Sequence, residues 1–401
     1  SLQGSGALQN AVSVTVTDVA ETLLGDADVW SALGEAIEHL VTGLSGDPTV
    51  RGFAADTVKQ FVVGMVGDLP GADRVGEIVG DAVAGLLADP VFSGEFASLL
   101  GALLPDFFGE PDVPAVLAGA AAQLAVAVVA GGDVSAALAA VVTVLQGSGA
   151  IQNAVGVTVT DIAGNLLADE PLWQLLGDTL STVILSLAED TDVQVFAAHA
   201  VAGIVESMLA GNPVADQIGL LVGNAVAGLL ADTRFSGPLA SIIGALLPDF
   251  FGQPDVPGVL ADAAGQLAVA VIAGGDTAAV LAALRANVAI QGAVGVTVTD
   301  VVGTLLGDSG VWNALGDKLS GLITGLAEDT AVQGYAAQTV AGIVESMLAG
   351  NPAAHDIGII VGDAVAGLLN DPRFSGGLAS LVGSLLPDFF AQPDVADVLA
   401  G

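Results

Sequence analysis

The sequence has no cysteine and very few basic residues. Without cysteine the chain cannot form disulfide bonds, thiolate nucleophiles or cysteine metal sites. Lysine and arginine together number 7 against 44 aspartates and glutamates, so the formal net charge is −37. This charge argues against nucleic acid as a partner, because phosphate binding needs a basic face. It disfavours docking on anionic lipid headgroups for the same reason.

Aromatic residues are also scarce, at 4% of the chain, whereas small apolar residues are abundant. Hydrophobic residues make up 53% of the 401 positions, and 54 positions are glycine. Intrinsic disorder is not expected, because it requires low hydrophobicity. The strong negative charge is expected to keep so apolar a chain in solution through self-repulsion.

An internal repeat dominates the sequence. The segment that starts at Ala7 returns at Ala150 and again at Ala289, where AVSVTVTDV becomes AVGVTVTDI and AVGVTVTDV. We divide the chain into three predicted helical units at residues 1–149, 150–288 and 289–401, the last of them truncated. The opening SLQGSG matches the end of a unit, so we expect the chain to be cut from a longer array.

A finer period of about 21 residues lies inside each unit. It is marked by aspartate or asparagine, often followed by proline, a combination that suits the N-cap and first position of a helix. The predicted caps are Asp26, Asp47, Asp68, Asp89, Asp112, Asp133, Asp169, Asp190, Asn212, Asp232, Asp255, Asp276, Asp308, Asp329, Asn351, Asp371 and Asp394. We therefore predict an all-α protein made of three tandem helical repeat units of about 140 residues, built from capped helices of about 21 residues and arranged as an α-solenoid or as strung helical bundles.

Small residues form a stripe along the predicted helix that precedes Asp89. Gly76, Gly80 and Ala84 occupy successive turns of this helix. Glycine inside a helix is unfavourable in isolation, so the stripe predicts close approach of a neighbouring backbone. The segment VSVTVTDV at Val12–Val19 alternates as a strand does, but its apolar residues also fit one helical face, and we prefer the helix.

Two adjacent phenylalanines recur between two prolines in LLPDFFGEPDVP and its copies. The first proline is expected to end or kink a helix, because it lacks an N–H donor. The pairs are Phe107 and Phe108, Phe250 and Phe251, and Phe389 and Phe390. One interpretation is that they fill gaps between helices made of small side chains. The other is that they contact an apolar ligand, such as a lipid chain, or a partner.

Residues for catalysis are hard to find. The three histidines, His39, His199 and His355, have no histidine at the equivalent positions of the other units. No P-loop, nucleophile elbow or calcium-binding loop occurs. The acidic pair Glu35 and Glu38 is not kept in all three units. We predict no catalytic, cofactor-binding or metal site and no enzyme activity; an enzyme would need a single cluster around His199 or His355.

One uncharged segment, Ala115–Gly132, approaches the length of a membrane span. It is rich in alanine and glycine, and its copy in the second unit carries Asp262. Because a charge in the middle of a span is costly in lipid, we predict a wholly buried core helix instead.

The recurring phrase of a capping Asp or Asp-Pro, an apolar helix and then LLAD or LLGD covers nearly the whole chain. It resembles the repetitive regions of secreted and cell-envelope proteins from mycobacteria and other actinobacteria, including the PE and PGRS group. The resemblance implies export to the cell envelope or the exterior. It implies no catalytic residue.

The sequence thus favours a non-catalytic extracellular or cell-envelope repeat protein that acts as a structural spacer, scaffold or interaction surface. A protein or another envelope component is its expected partner, and the oligomeric state is left open. The alternative is a carrier or binder of lipids or other apolar ligands between its helices, which the high hydrophobicity motivates. No cofactor is expected in either case.

Overall fold

The computed structural model describes residues 5–67, 71–349, 351–392 and 395–400. Within these residues the regular structure consists of twenty α-helices with no strand, so the all-α prediction is confirmed. The helices are α1 (Gly6–Leu24), α2 (Ala27–Gly46), α3 (Pro48–Val66), α4 (Ala72–Ala88), α5 (Pro90–Gly109), α6 (Val113–Val129), α7 (Val134–Gln146), α8 (Gly149–Leu167), α9 (Glu170–Glu189), α10 (Thr191–Met208), α11 (Ala215–Leu230), α12 (Thr233–Phe251), α13 (Val256–Ala273), α14 (Thr277–Arg285), α15 (Val288–Gly307), α16 (Ser309–Glu328), α17 (Thr330–Met347), α18 (Ala354–Leu369), α19 (Pro372–Phe390) and α20 (Val395–Ala400). The segment Val12–Val19 lies in α1 and is helical, as preferred from the sequence.

Most of the predicted caps begin helices. In each of these a carboxylate oxygen accepts a hydrogen bond from a backbone N–H of the first turn, which satisfies a donor that the helix leaves unpaired. These residues are Asp26, Asp47, Asp89, Asp133, Asp169, Asp190, Asp232, Asp276, Asp308, Asp329 and Asp371.

The remaining predicted caps differ. Asn212 and Asn351 accept a backbone hydrogen bond from the residue two positions on, in the turns that precede α11 and α18. Asp112 and Asp255 occupy N-cap positions, but their side chains make no capping hydrogen bond. Two further predicted caps, Asp68 and Asp394, lie outside the described residues.

The chain divides into two compact units. The first comprises Ser1–Gly52, Gly85–Leu176 and Leu247–Thr297, and the second comprises Phe53–Ala84, Gly177–Leu246 and Val298–Gly401. In the first unit α1 packs on α6, α2 on α5, and α8 on α13. In the second unit α10 packs on α11, α16 on α19, and α17 on α18.

Glycines bring the paired helices into backbone contact. In the second unit, a Cβ on Gly80 of α4 would lie 2.6 Å from the carbonyl oxygen of Ala55 in α3. A Cβ on Gly76 would lie 2.9 Å from the carbonyl oxygen of Lys59, one turn further along the same antiparallel pair. No larger side chain fits at such distances, which confirms the close approach predicted from the small-residue stripe.

The core is built from small side chains. Among the described residues, most of the buried hydrophobic ones are alanine, and the largest fully buried side chains are Val113, Val256 and Val311. Leucine, phenylalanine and methionine side chains remain partly exposed in large numbers. Stabilisation therefore comes from many tight helix crossings, because close packing of small residues provides dispersion contacts that a large apolar core would otherwise supply.

The first proline of each repeated segment was expected to end or kink its helix. Pro105 and Pro387 do not end theirs, since α5 and α19 continue past them to Gly109 and Phe390. A proline inside a helix costs about 3 kcal/mol in isolation, so the tertiary packing of the residues that follow must offset this cost. The helix α6 is not wholly buried either, because Val128 is exposed and only part of the helix is covered by α1.

Among the helices of the described residues, three are long and apolar enough to cross a membrane, judged by length and composition alone: Pro90–Gly109, Val256–Ala273 and Val288–Gly307. The number rises to five if two sharply bent helix pairs, α7 with α8 and α11 with α12, each count as one span. All three helices carry at least one carboxylate, such as Asp262 near the middle of α13. A charged group at that depth is costly in hydrocarbon.

Candidate functional site

The second phenylalanine of each pair stacks on a tryptophan. In the first unit the rings of Phe108 and Trp30 are nearly parallel, at 2°, with centroids 3.6 Å apart. Phe251 and Trp173 stack in the same way at 3.7 Å. In the second unit the corresponding pair is Phe390 and Trp312, at 3.6 Å. The stacked rings leave no space between them for a ligand, so only their outer faces and edges are free for binding.

The first phenylalanine of each pair packs edge-on against the second. The ring centroids are 5.2 Å apart for Phe107 and Phe108, with an interplanar angle of 84°. Phe250 and Phe389 repeat this arrangement at 5.2 Å and 5.0 Å from their neighbours. Phe107 and Phe250 are half-buried, whereas Phe389 is exposed. Edge-to-face and stacked contacts of this kind stabilise aromatic clusters beyond their buried area.

Each tryptophan is fixed by a hydrogen bond. The indole Nε1 of Trp30 donates to the carbonyl oxygen of Leu24 at 2.7 Å, at the C-terminal end of the preceding helix. The indoles of Trp173 and Trp312 donate to equivalent carbonyl oxygens at 3.0 Å and 2.8 Å. These carbonyls lie in the last turn of a helix and lack a partner within it, so the indole satisfies a group that would otherwise need water.

Close helix crossings lie next to the aromatic stacks. In the first unit, a Cβ on Gly34 of α2 would collide with the carbonyl oxygen of Gly101 in α5 and would lie 3.1 Å from the ring of Pro105. Gly101 is four residues before Pro105, so its carbonyl receives no helical hydrogen bond from that proline. In the second unit Gly316 meets Gly383 and Pro387 in the same arrangement. Glycine on one helix thus accommodates the proline inside the other.

The sequence pointed to the phenylalanines but not to their partners. Trp30, Trp173 and Trp312 recur once per sequence copy at one position, which was the available signal. They are far in sequence from the phenylalanines, and only the helix pairing brings the two together. Whether Phe107, Phe108, Phe250, Phe251, Phe389 and Phe390 contact a ligand or partner stays a prediction.

Two clefts open beside the stacks of the first unit. One has a volume of about 440 Å³ and is lined by Trp30, Phe108 and Pro111 together with Glu21 and Glu110. The second, of about 450 Å³, is lined by equivalent residues, among them Trp173, Phe251 and Pro254. Both combine aromatic edges and prolines with carboxylates, which suits an amphipathic partner better than a purely apolar one.

A larger open groove runs between α8 and α13 in the first unit. Its volume is about 810 Å³, and its lining includes Gln152, Asn153, Asp161, Asp262 and Gln266 beside glycine and valine. Asp161 also acts on Asp106 of α5: partial desolvation raises the pKa of Asp106, and the negative charge of Asp161 raises it further. The groove offers hydrogen-bonding groups and two carboxylates but no basic side chain, so it does not suit an anionic headgroup.

Each of the three histidines makes a contact with a residue that is close to it in the sequence. The Nδ1 atoms of His39 and His199 lie 2.7 Å and 2.8 Å from backbone carbonyl oxygens one turn earlier in their own helices. His355 pairs with Glu345, whose Oε1 lies 2.7 Å from its Nδ1. No group of three histidine, aspartate or glutamate side chains is arranged to hold a metal within the described residues.

Arginine ion pairs link helices of the second unit. Arg74 of α4 donates from Nε to the cap residue Asp190 at 2.6 Å. Arg234 of α12 donates to Asp232 and to Asp317 of α16, both at 2.8 Å. The hydrogen bonds from Arg234 lower the pKa of Asp232 to about 2 and raise the pKa of Arg234. The chain has only 7 lysine and arginine residues, and two of them pair with carboxylates on helices that are distant in sequence. We therefore regard these contacts as specific.

Comparison with known proteins gives no relative. No family model matches the chain, and neither a curated protein nor a solved structure matches it.

Proposed function

We propose that this chain is a non-catalytic scaffold or spacer of the cell envelope or cell exterior, built from three tandem helical units at residues 1–149, 150–288 and 289–401. The observation that carries the proposal is the recurrence of one packing motif at equivalent positions of the sequence copies. Trp30 with Phe108, Trp173 with Phe251, and Trp312 with Phe390 stack within 0.1 Å of one another in centroid distance. What recurs is a packing contact, whereas the histidines do not recur.

Repetition of packing suits a protein whose surface is its working part. Repeat arrays stack similar units and offer extended surfaces to partners. The surface of this chain combines exposed apolar side chains with a net charge of −37. A neutral or basic protein, or another envelope component with the same properties, matches such a surface, since like charge would repel an acidic one. The resemblance to repetitive actinobacterial envelope proteins supports the proposed location.

An in-frame deletion of residues 150–288 tests the proposed organisation. Residue 149 would then join residue 289, which has the same place in the sequence repeat as residue 150. If the three repeat units of the sequence are interchangeable, the shortened protein should stay soluble, with the same helical circular dichroism per residue as the full chain. A deletion of residues 80–149 serves as the control: it joins α4 to α8, which are not equivalent in the sequence repeat, and should unfold the protein. Loss of folding in both deletions would contradict the tandem organisation.

Lipid carriage is the second candidate, favoured by the clefts that Trp30 and Phe108 and their equivalents line. Native mass spectrometry of the purified chain, followed by solvent extraction and lipid analysis, separates the two functions. A scaffold should give the mass of the bare polypeptide. Bound lipid in fixed stoichiometry, reduced by Phe107→Ala with Phe250→Ala and Phe389→Ala, would establish the carrier and displace the scaffold.

A further inference from the structure

Residues at one face of the first sequence copy are exposed, although their equivalents in the later copies are buried. We call this the leading face and define it by Leu8, Ala11 and Thr15 of α1 and Val29 of α2. Val29 is 37% exposed, whereas the equivalent Leu172 and Val311 are 3% and 1% exposed. Leu8, Ala11 and Thr15 are exposed in the same way. Their buried equivalents are Ile151, Ala154 and Thr158 in the second copy and Ala293 and Thr297 in the third.

The last sequence copy has an exposed face of its own. We call it the trailing face and define it by Ile360 of α18 and Leu381 of α19, both exposed. Leu381 is 64% exposed, whereas its equivalent in the second copy, Ile242, is 7% exposed. Ile78, the first-copy equivalent of Ile360, is buried.

Inside the chain, helices equivalent to those of the leading face pack on helices of the preceding copy that are equivalent to those of the trailing face. In the first unit α8 packs against α5 and α6, where Ile151 and Ala154 form one apolar cluster with Val113. In the second unit α16 packs against α11, and a Cβ on Gly325 would lie 3.1 Å from the side chain of Leu221. Leu221 is the second-copy equivalent of Ile360. The contacts inside the chain therefore pair helices equivalent to those of the leading face, α8 and α16, with helices equivalent to those of the trailing face, α5 and α11.

A charge pair marks the same contact. Arg234 on the trailing side of the second copy donates to Asp317 on the leading side of the third, at 2.8 Å. The equivalent of Arg234 in the last copy is Arg373, and the equivalent of Asp317 in the first copy is Glu35. Both are exposed, and neither side chain forms an ion pair with another of the described residues. Arg373 and Glu35 thus offer one contact of opposite charge between the two faces.

We propose that the trailing face binds the leading face of a second molecule of the same chain, head to tail, with Arg373 of one molecule paired to Glu35 of the next. This inference rests on the proposed tandem units and names their partner. Such a contact is heterologous, so each bound copy still offers one free face. Assembly therefore continues beyond a dimer as concentration rises. The proposal concerns the 401-residue chain; a further repeat in a longer chain would offer the same surface.

Electrostatic repulsion limits the strength of this association. The net charge of −37 opposes any contact between copies. Arg74 and Asp190 form an ion pair between successive sequence copies inside the chain. Their equivalents in the proposed contact are Asp356 of one molecule and Asp47 of the next, so two carboxylates would meet there. Added salt should therefore strengthen the assembly, because it screens the repulsion while the apolar contact remains. Replacing Asp356 with arginine should strengthen it as well, by restoring the arginine found at this position in the first copy.

Sedimentation velocity of the intact 401-residue chain over a wide range of concentration tests the proposal. The expected result is reversible growth beyond dimer. Leu381→Asp should weaken it by about tenfold or more, because it places an unpaired charge in an apolar contact. Asp356→Arg should strengthen it, and Asp262→Arg, which makes the same charge change on α13, should act only through net charge. All these side chains are exposed, so circular dichroism should stay unchanged.

A charge exchange identifies the pairing. Arg373→Glu and Glu35→Arg should each weaken the assembly by about fivefold, since each creates a like-charge contact. A mixture of the two variants, or both changes in one chain, should restore it, whereas Arg285→Glu should have no specific effect. A chain that stays monomeric at every salt concentration, growth that stops at dimer, or indifference to Leu381→Asp and to the charge exchange would each overturn the proposal. If the protein with residues 150–288 deleted nevertheless folds, the scaffold proposal stands even though the head-to-tail assembly is refuted.

Discussion

Trp30 and Phe108 lie face to face, with their ring centroids 3.6 Å apart, although 78 positions separate them in the sequence (108 − 30). The indole N–H of Trp30 donates a hydrogen bond to the carbonyl oxygen of Leu24. The tryptophan is therefore held by this hydrogen bond as well as by the stack. The stack joins the first turn of α2 to the last turn of α5 and so holds the two helices in one register. Equivalent stacks join α9 to α12 and α16 to α19.

Removal of one stacked ring should destabilise its own helix pair. Phe108→Ala is expected to lower the free energy of unfolding by about 2 kcal/mol, which is below the usual cost of a fully buried phenylalanine because Phe108 is half-buried. Urea unfolding followed by tryptophan emission measures the loss. Phe61→Ala is the control, because Phe61 is exposed and should change stability by less than about 0.5 kcal/mol. Equal effects of the two variants would show that the stack does not hold the helices.

Two glycines of α2 should respond in opposite directions to the same substitution. A Cβ on Gly34 would collide with the carbonyl oxygen of Gly101, whereas a Cβ on Gly43 would meet nothing within 4 Å. Gly34→Ala should therefore destabilise the protein by about 1 to 3 kcal/mol through forced separation of the helices. Gly43→Ala should stabilise it by up to about 1 kcal/mol, because alanine favours the helix. Thermal or urea unfolding of both variants is decisive, since helix propensity alone predicts a gain for each.

Two predicted caps should differ in their contribution to stability. The carboxylate of Asp133 accepts hydrogen bonds from the N–H groups of Ser135 and Ala136 at 2.9 Å and 3.2 Å. Asp112 occupies an N-cap position without such a bond. Asp133→Ala should cost about 1 kcal/mol, and Asp112→Ala should stay within about 0.5 kcal/mol of the wild type. Faster amide hydrogen exchange at Ser135 and Ala136 in the first variant alone would locate the effect at the start of α7.

The cap residues also show why the helices could be predicted from the sequence. A cap such as Asp133 acts on N–H groups two and three residues away, so the sequence contains both partners of the interaction. The close helix approach at Gly76 and Gly80 could also be predicted from the sequence, because glycine is unfavourable inside a helix unless a neighbouring backbone must come close. Both signals are local, and the structure bears out both.

The aromatic stacks and the internal prolines could not be predicted in this way. Pairing of Trp30 with Phe108 depends on which helices pack together, and nothing within one helical turn of either residue indicates it. Pro105 was expected on local grounds to end or kink its helix, but α5 continues past it, with the crossing at Gly34 and the stack at Phe108 on either side. Tertiary contacts of this strength override a local preference. The same limit applies to the ion pairs, which join residues far apart in sequence.

The pair of Asp232 and Arg234 predicts a dependence of stability on pH. Arg234 lowers the pKa of Asp232 from 3.8 to about 2. A carboxyl whose pKa is lower in the folded state binds fewer protons there, so its contribution is fully present above pH 3.8 and is lost as the pH falls through about 2. Arg234→Gln should therefore unfold more easily than the wild type at pH 5, and the difference should shrink as the pH falls towards 2.

The size of this difference is limited by solvent. The side chain of Arg234 is 46% exposed, so solvent screening should keep the difference small, and added salt should reduce it further. Arg285→Gln is the matched control, because Arg285 forms no ion pair with the described residues and should leave the pH profile unchanged. Urea unfolding of the three proteins from pH 5 to pH 2 measures the difference directly. A gap between Arg234→Gln and the wild type that stays constant or widens on acidification would mean that the arginine acts through packing alone, because the loss of an ion pair must fade once its carboxylate is protonated.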